Sequence, residues 1–223
     1  MRMMAVFEKG ERLRHIGHLD IMRSTQRALR RSGLPVSYSK GFNPHILITF
    51  ASALSTGAVG RHELMDVTLD KPVTAEEFLS AMNAAMPPDM QMSFAKVLDD
   101  HHPALMAMVC AAAYDLHVLD SSAAKRCAEA IPAFLQQESI MAMRKTKSGV
   151  KECDIRPLIH SLKAEGDHLY ATLTLTESTA CKPDMLLTAL CGFAGCEAPR
   201  MLVIREHLLG ENERGELVPL ETL

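Results

Sequence analysis

The order in which strand-like and helix-like patterns follow one another limits the fold of this chain more than any other feature of its sequence. Short apolar runs predict strands, and apolar residues that recur every three to four positions predict helices. In the first half, strands are predicted at 3–7, 34–38, 46–50, 64–69 and 90–97, and helices at 17–33 and from 74 onward. In the second half, strands are predicted within 105–119 and at 139–145, 169–175 and 199–206, and helices at 121–137 and 183–191. Both halves therefore approximate the order β-α-β-β-α-β.

That order predicts an α+β protein of two tandem ferredoxin-like (β-α-β-β-α-β) domains, each an antiparallel sheet with its helices on one face. A chain of 223 residues is long enough for two domains of about 100 residues each. The polar stretch D-D-H-H-P at 99–103 is typical of a linker. We therefore expect an N-terminal domain at 1–100, with a basic loop end, and a C-terminal domain at 104–223. The runs 34–38 and 46–50 are either two strands or one strand with an excursion between its halves.

The apolar segments do not predict a membrane span or a signal peptide. The longest apolar run, around 104–114, is shorter than the roughly 20 residues that cross a bilayer. Charges at positions 8, 9, 11 and 12 interrupt any apolar signal segment near the start. We expect a cytoplasmic protein.

The six cysteines form no C-x-x-C pair, and the three-cysteine spacing of an iron–sulfur cluster is missing. A cytosolic chain of this size has no need of disulfides, so reduced and mostly buried thiols are predicted in preference to a metal or redox site. Neither a cofactor nor a metal is predicted.

Charge is distributed unevenly along the chain. Residues 1–45 hold nine Lys/Arg against three Asp/Glu, a net charge of +6, and because the whole chain carries −3 the remainder carries −9. A basic portion of this kind is typical of a surface that faces a polyanion. The alternative is that the two parts of the chain neutralise each other in the fold.

The first predicted helix carries a row of arginines opposite its apolar side. Its members lie within about 60° of one another on a helical projection or on the adjoining flank: Arg23, Arg27, Arg30 and Arg31. A guanidinium group offers a planar fork of donors that suits phosphate. The alternative is a solvated helix face. Asp20, at the third helical position after Gly17, is explained by the positive helix end.

Chain direction predicts where two basic segments lie. If the first strand ends at one end of the sheet, the first helix starts at that end and runs to the opposite one. The strand after the helix then runs back to the first end. Residues 12–18, with Arg12 and Arg14, and residues 40–45 are therefore both expected at that end. Together they would form a basic surface that bears histidines.

The segment S-K-G-F-N-P-H at 39–45 contains more functional side chains than a short connection between strands requires. Gly41 is expected to adopt a positive φ, and the proline at 44 to stiffen the return. Lys40, Asn43 and His45 would then project donors outward, and Phe42 either packs below them or offers a ring for a base to stack on.

Histidines supply the only candidates for catalysis, namely His15, His18 and His45, because imidazole exchanges protons near neutral pH without a metal. His18 falls on the apolar side of its helix and is also explained as a buried core histidine. The basic stretch 144–156 either extends a phosphate-binding track or forms a solvated hairpin tip.

Three stretches of the first third resemble a known family. They are R-L-R-H-I-G-H-L-D-I-M-R at 12–23, R-A-L-R-R-S-G-L-P-V-S-Y-S-K-G-F-N-P-H at 27–45 and I-T-F-A-S-A-L-S-T-G at 48–57. The chain resembles the radical-SAM-linked protein family of unknown function, whose members occur alone or fused behind a cobalamin-binding and radical SAM enzyme. The similarity is specific over about 12–66 and weaker at D-I-R-P-L, 154–158.

This resemblance implies a separate radical SAM enzyme as partner. Because many such enzymes modify RNA, we expect an RNA-binding accessory subunit that acts in tRNA or rRNA modification. We expect no intrinsic catalysis in preference to an enzymatic activity. The alternatives are a protein-docking module for the radical SAM enzyme and a metal-independent RNA endonuclease.

Overall fold

The computed structural model describes residues 1–99, 101–146 and 149–223. It shows an α+β chain. The helices are α1 (His18–Arg31), α2 (Ala75–Ala85), α3 (Leu105–Met108), α4 (Ser121–Leu135) and α5 (Pro183–Phe193). The strands are β1 (Arg2–Lys9), β2 (Ile48–Phe50), β3 (Val59–Thr68), β4 (Met92–Leu98), β5 (Ala111–Val118), β6 (Met141–Thr146), β7 (Gly149–Asp154), β8 (Ile159–Glu165), β9 (His168–Thr174), β10 (Met201–Glu211) and β11 (Leu217–Pro219).

The chain divides into two compact units. Unit 1 consists of Met1–Val109 and Gly210–Leu223, and unit 2 of Cys110–Leu209. The C-terminal segment thus belongs to the same unit as the N-terminal half. Division into two domains at 1–100 and 104–223 stays a prediction.

Four strands of unit 1 pair in the order β4-β1-β3-β2, and each of these pairs is antiparallel. Their register places Met3 of β1 between Val67 of β3 and Val97 of β4. Lys9 pairs with Gly60 at one end of β3, and Arg2 pairs with Thr68 at the other. The Gly60 end and the Thr68 end of β3 serve below as reference points for the positions of the candidate residues of unit 1.

Helices α1 and α2 share one core with alternate residues of β1. Met3, Ala5 and Phe7 belong to the same buried cluster as Leu29 of α1 and Phe78 of α2. Burial of each large apolar side chain contributes about 1.5–3 kcal/mol to folding.

The ends of both helices follow the sequence. Gly17 is the N-cap of α1, which places Asp20 at the third helical position, as predicted. Thr74 and Glu77 form a capping box at α2, because each side chain accepts the backbone N–H of the other. Both helix starts are therefore confirmed.

The runs 34–38 and 46–50 do not form two strands. Val36 makes an isolated bridge to Leu69, β2 pairs with β3 beside it, and residues 37–47 leave the sheet between these two contacts. The interpretation as one strand with an excursion is the correct one. We call this excursion, residues 37–47, the hairpin.

In unit 2 the strands pair antiparallel in the order β10-β5-β9-β8. Leu116 of β5 and Leu169 and Leu173 of β9 are fully buried in this unit, as are Leu186 and Leu190 of α5. Pro183 stands at the start of α5, where its missing N–H costs nothing, as predicted. The predicted strands and helices of this half are present within ranges close to those expected.

Three strands were not predicted: β7 and β8 of unit 2, and β11 in the C-terminal segment of unit 1. β6 and β7 form a separate two-stranded sheet, and β7 with the end of β6 lies in the basic stretch 144–156. In β8 the register shifts between Ile159 and Ser161, so its buried residues, Ile159 and Leu162, are three positions apart rather than two. That bulge removes the alternation by which a strand is recognised.

Within the described residues, the helices are too short or too polar for any of them to cross a bilayer.

Candidate nucleic-acid interface

The hairpin is built on main-chain pairing and one buried anchor. The Leu47 N–H donates to the Ser37 carbonyl (2.9 Å), and the Ser39 N–H donates to the His45 carbonyl (2.8 Å). Ile46 lies in the core of unit 1, almost fully buried. The base of the hairpin is therefore fixed, and its tip extends from the sheet.

The tip presents a ring and three polar side chains to solvent. Gly41 has φ +126°, which confirms the expected positive φ. The Phe42 side chain is 106% exposed, and Lys40, Asn43 and His45 are exposed beside it. Of the two alternatives for Phe42, the structure shows the outward one.

His45 is held by the side chain of Ser39. The Ser39 Oγ accepts the backbone N–H of His45 (3.1 Å) and lies 2.8 Å from its ring Nδ1. In the tautomer in which Nδ1 accepts the serine proton, Nε2 carries the hydrogen. That N–H is then available to a phosphate oxygen or a base edge.

The arginine row is exposed along α1, but its members differ in their partners. Arg23 pairs with Asp20 (3.0 Å), and the Arg31 Nη2 donates to the Ala85 carbonyl (2.6 Å). Arg27 and Arg30 are exposed and form no ion pair with any residue that the structure describes. These two guanidinium groups are the ones ready for an anion.

The segment 12–18 is a poor anion site, because acids of unit 1 neutralise its arginines. Arg12 pairs with Asp89 (2.8 Å), and this hydrogen bond raises the pKa of the guanidinium. Arg14 pairs with Glu11, and its Nε donates to His15 Nε2 (3.1 Å).

The expectation that segments 12–18 and 40–45 meet at one end of the sheet is wrong. The Arg14 carbonyl accepts from Lys9 Nζ (3.0 Å) and from the Gly57 N–H (2.7 Å), at the end of β3 where Gly60 lies. The hairpin base is bonded to Thr68, through Ser37 N–H to the Thr68 carbonyl (2.9 Å). The steps from Gly60 to Thr68 span roughly 26 Å of strand at about 3.3 Å each.

The error has a definite cause. The prediction required the strand after α1 to run along the full length of the sheet before the segment 40–45 begins. The chain instead pairs only at Val36 and then turns out into the hairpin, beside Leu69 and Thr68. The C-terminus of α1 also lies at the Thr68 end of β3. Pro35, which follows α1 in the chain, accepts a hydrogen bond at its carbonyl from the N–H of Asp70, just after β3 (2.8 Å). Arg27 and Arg30, in the C-terminal half of α1, therefore lie closer to the hairpin's end of the sheet than Arg12 and Arg14 do.

The sequence model of one family, described as "Uncharacterized protein conserved in bacteria (DUF2344)", matches residues 2–184. The chain belongs to the DUF2344 family. In this DUF2344 protein the matched range contains α1, the whole hairpin and unit 2 as far as the first two residues of α5. None of the curated proteins matches the chain.

A small cavity in this DUF2344 protein lies at the other end of β3 and was not predicted. It has a volume of about 10 Å³ and is lined by Lys9, His18, Ser52 and Glu63 among apolar side chains. His18 is half-buried, and its ring contacts the edge of Phe50 (5.4 Å between centroids). The side chains of Lys9 and Glu63 are buried although both residues are polar. A lysine or glutamate beside a predicted apolar strand is the only signal of this cavity that the sequence offers.

The basic stretch 144–156 belongs to unit 2. Arg144 lines an open groove between β6–β7 and α5, and the Arg156 Nε donates to the Leu135 carbonyl (3.0 Å). Residues 147 and 148, and Asp100 of the predicted linker, lie outside the described residues. Whether this stretch adds to the surface of unit 1 stays open as a prediction.

Proposed function

We propose that this DUF2344 protein is an RNA-binding accessory subunit that acts with a separate radical SAM enzyme in tRNA or rRNA modification. The observation that carries the proposal is the tip of the hairpin, where a fully exposed Phe42 stands among Lys40, Asn43 and His45. A ring of this kind is a platform on which an unpaired base stacks. The radical SAM partner is supported by the sequence resemblance at 12–66.

The charges near the hairpin support a polyanion as ligand. Arg27, Arg30 and Lys40 are exposed and form no ion pair within the part of the chain that the structure describes. Each phosphate that a cation neutralises releases a counterion from the nucleic acid. The proposal therefore requires salt-dependent binding.

Salt titration of binding tests the proposal. Fluorescence anisotropy of labelled single-stranded RNA and of a tRNA fraction is measured against the full chain at increasing salt. Three neutralised phosphates predict a slope of log K against log salt of about −2, at about −0.7 per contact on a single strand. The double variant Arg27→Gln, Arg30→Gln is expected to reduce the slope to about −0.7.

Arg12→Gln is the matched control, because Arg12 is also an exposed arginine but is already paired with Asp89 at the other end of β3. It should leave the slope unchanged. Absence of binding to every RNA tested, or binding that salt does not weaken, refutes the proposal. If binding weakens with salt as expected, crosslinking and sequencing of RNA that copurifies with the chain identifies the substrate.

A second candidate is a protein-docking module for the radical SAM enzyme. The specific observation in its favour is that Tyr38 and Leu47, on the two arms of the hairpin, are 45% and 37% exposed and add apolar surface to Phe42. Copurification of the two proteins after nuclease treatment, lost in Phe42→Ala while RNA binding remains, favours docking over RNA binding.

The geometry lends no support to an endonuclease that uses these histidines together. His45 lies at the hairpin, whereas His15 and His18 lie at the Gly60 end of β3. A general acid and a general base must both reach one phosphate. His45 therefore cannot share a reaction with either of the others in this conformation.

We further propose that each unit is a ferredoxin-like domain. The support is the order of the strands, β4-β1-β3-β2 in unit 1 and β10-β5-β9-β8 in unit 2, which is the same order when the strands of each unit are counted along the chain with β6 and β7 set aside as an insertion.

A further inference from the structure

Three cysteines of unit 2 converge although they are far apart in sequence. The sulfur atoms of Cys127, Cys191 and Cys196 all lie within 4.8 Å of one another, and those of Cys127 and Cys191 are 3.4 Å apart. We call these residues the thiol cluster. Cys127 and Cys191 are buried, and Cys196 is partly exposed.

The end of α5 brings two of the thiols together. The Cys196 N–H donates to the Cys191 carbonyl (2.9 Å), and Gly195 between them has φ +69°. This arrangement is a helix C-terminus closed by a glycine in the left-handed region, which turns the chain back onto the last helical turn. The C-x4-C spacing with glycine before the second cysteine therefore places both side chains on one side.

The third thiol comes from α4. Cys127 is fully buried in the helix that packs beside α5, where Phe134 of α4 contacts Phe193 of α5 (5.6 Å between ring centroids). The helix is fixed at its start by Asp120, whose carboxylate accepts the Ala123 N–H (2.9 Å). The cluster is thus held from two helices and not from a loose surface loop.

The spacing of the sulfurs suits a thiophilic divalent cation. A zinc–sulfur bond of about 2.3 Å in a tetrahedral site puts two sulfurs about 3.8 Å apart. The observed separations, from 3.4 Å to no more than 4.8 Å, reach this value with shifts of about 1 Å or less. Three protein ligands leave a fourth position for water, and the partly exposed Cys196 is the ligand through which solvent would reach it.

A cation at this position also meets a suitable charge. Three thiolates and a divalent cation sum to −1, and the Arg126 guanidinium lies next to the cluster, since its Nη1 donates to the Gly195 carbonyl (3.4 Å). The arginine offsets the remaining negative charge.

We propose that Cys127, Cys191 and Cys196 form a binding site for a thiophilic divalent cation of the zinc class, with three thiolate ligands and one water. On binding, three S–H protons pass to solvent and three sulfur–metal bonds form, with no change of oxidation state. The site lies wholly in unit 2 and does not depend on the function proposed above.

Titration of the reduced full-length chain with Co(II), a coloured substitute for Zn(II), tests the site. We expect one equivalent to produce the charge-transfer absorption of thiolate–cobalt bonds and the intense visible bands of a tetrahedral site, both displaced by Zn(II). Cys196→Ser, at the partly exposed position, is expected to fold and to lose the charge-transfer band. Cys127→Ser and Cys191→Ser should lose it as well.

Cys181→Ser is the matched control, because Cys181 is a buried cysteine of unit 2 outside the cluster. It should bind one equivalent as the wild type does. The proposal is overturned if the reduced wild type gives no charge-transfer band, or if folded Cys196→Ser retains it. Loss of two free thiols on mild oxidation, with no cobalt bound by the reduced chain, would show a disulfide-forming pair in place of a metal site.

Discussion

Replacement of Phe42 by alanine tests RNA binding without a change in stability. The ring is fully exposed, so its removal uncovers no apolar surface that folding had buried. Surface substitutions of this kind change the free energy of unfolding by less than about 0.5 kcal/mol. We therefore expect the thermal unfolding midpoint of Phe42→Ala to match that of the wild type.

RNA affinity should respond quite differently. Loss of one stacked base costs about 1–3 kcal/mol, which corresponds to an increase in Kd of about 5- to 160-fold. Fluorescence anisotropy with a single-stranded RNA of mixed sequence measures the change. Phe42→Trp keeps a larger ring at the tip and should bind at least as tightly as the wild type.

Phe94 provides the matched control. It is also a surface phenylalanine of unit 1, 42% exposed on β4, but it does not belong to the hairpin. Phe94→Ala should leave the Kd unchanged. The reasoning fails if Phe42→Ala binds RNA within a factor of two of the wild type, if both alanine variants weaken binding equally, or if Phe42→Ala unfolds markedly earlier.

Three further predictions concern the fold. Phe78→Ala, which empties a fully buried position between α2 and the sheet of unit 1, should lower the free energy of unfolding by about 3–5 kcal/mol in urea denaturation, and a loss below about 1 kcal/mol would contradict the packing described. Thr74→Ala removes one half of the capping box and should cost about 1 kcal/mol in the same assay, whereas Thr74→Ser, which keeps the hydroxyl, should cost much less. Burial raises the pKa of the Cys181 thiol to about 12 from 9.0, so the unfolded chain releases this proton first and stability should fall as the pH rises above about 9. Urea denaturation at pH 8 and pH 10 should show a loss in the wild type that exceeds the loss in Cys181→Ser by about 1 kcal/mol, and equal losses would be evidence against the buried thiol.

Helices could be predicted from this sequence because their signals are local. Thr74 and Glu77 stand three positions apart at the start of α2, and the apolar residues of α1 recur at helical spacing. A pattern confined to one or two turns is decided by contacts within that stretch. The same holds for Gly41, whose positive φ is set by its own turn.

The placement of the hairpin could not be predicted, because an excursion and a continuous strand have the same alternation of residues. Only the bridge of Val36 to Leu69 and the bond from Ser37 to Thr68 show that the chain leaves the sheet early. Both contacts join residues about 30 positions apart in sequence. Local periodicity holds no record of such pairings.

Ion pairs could not be predicted either, because their partners are also far apart in sequence. Arg12 counted as a free cation in the sequence, yet its partner, Asp89, is 77 positions away. Cys127 and Cys191, separated by 64 positions, show the converse, since thiols that looked scattered are in contact. The sequence shows where charged residues and cysteines lie along the chain, but tertiary contacts decide which of them are paired.

The hairpin has one further effect, on the border of the sheet in unit 1. A long straight border strand offers a row of unsatisfied amides and carbonyls to which a second molecule can add, and this is a common start of fibril growth. Of the two border strands in the order β4-β1-β3-β2, β2 is only three residues long, and the chain before it projects away as the hairpin. The excursion that carries the exposed ring thus also interrupts a template for self-association.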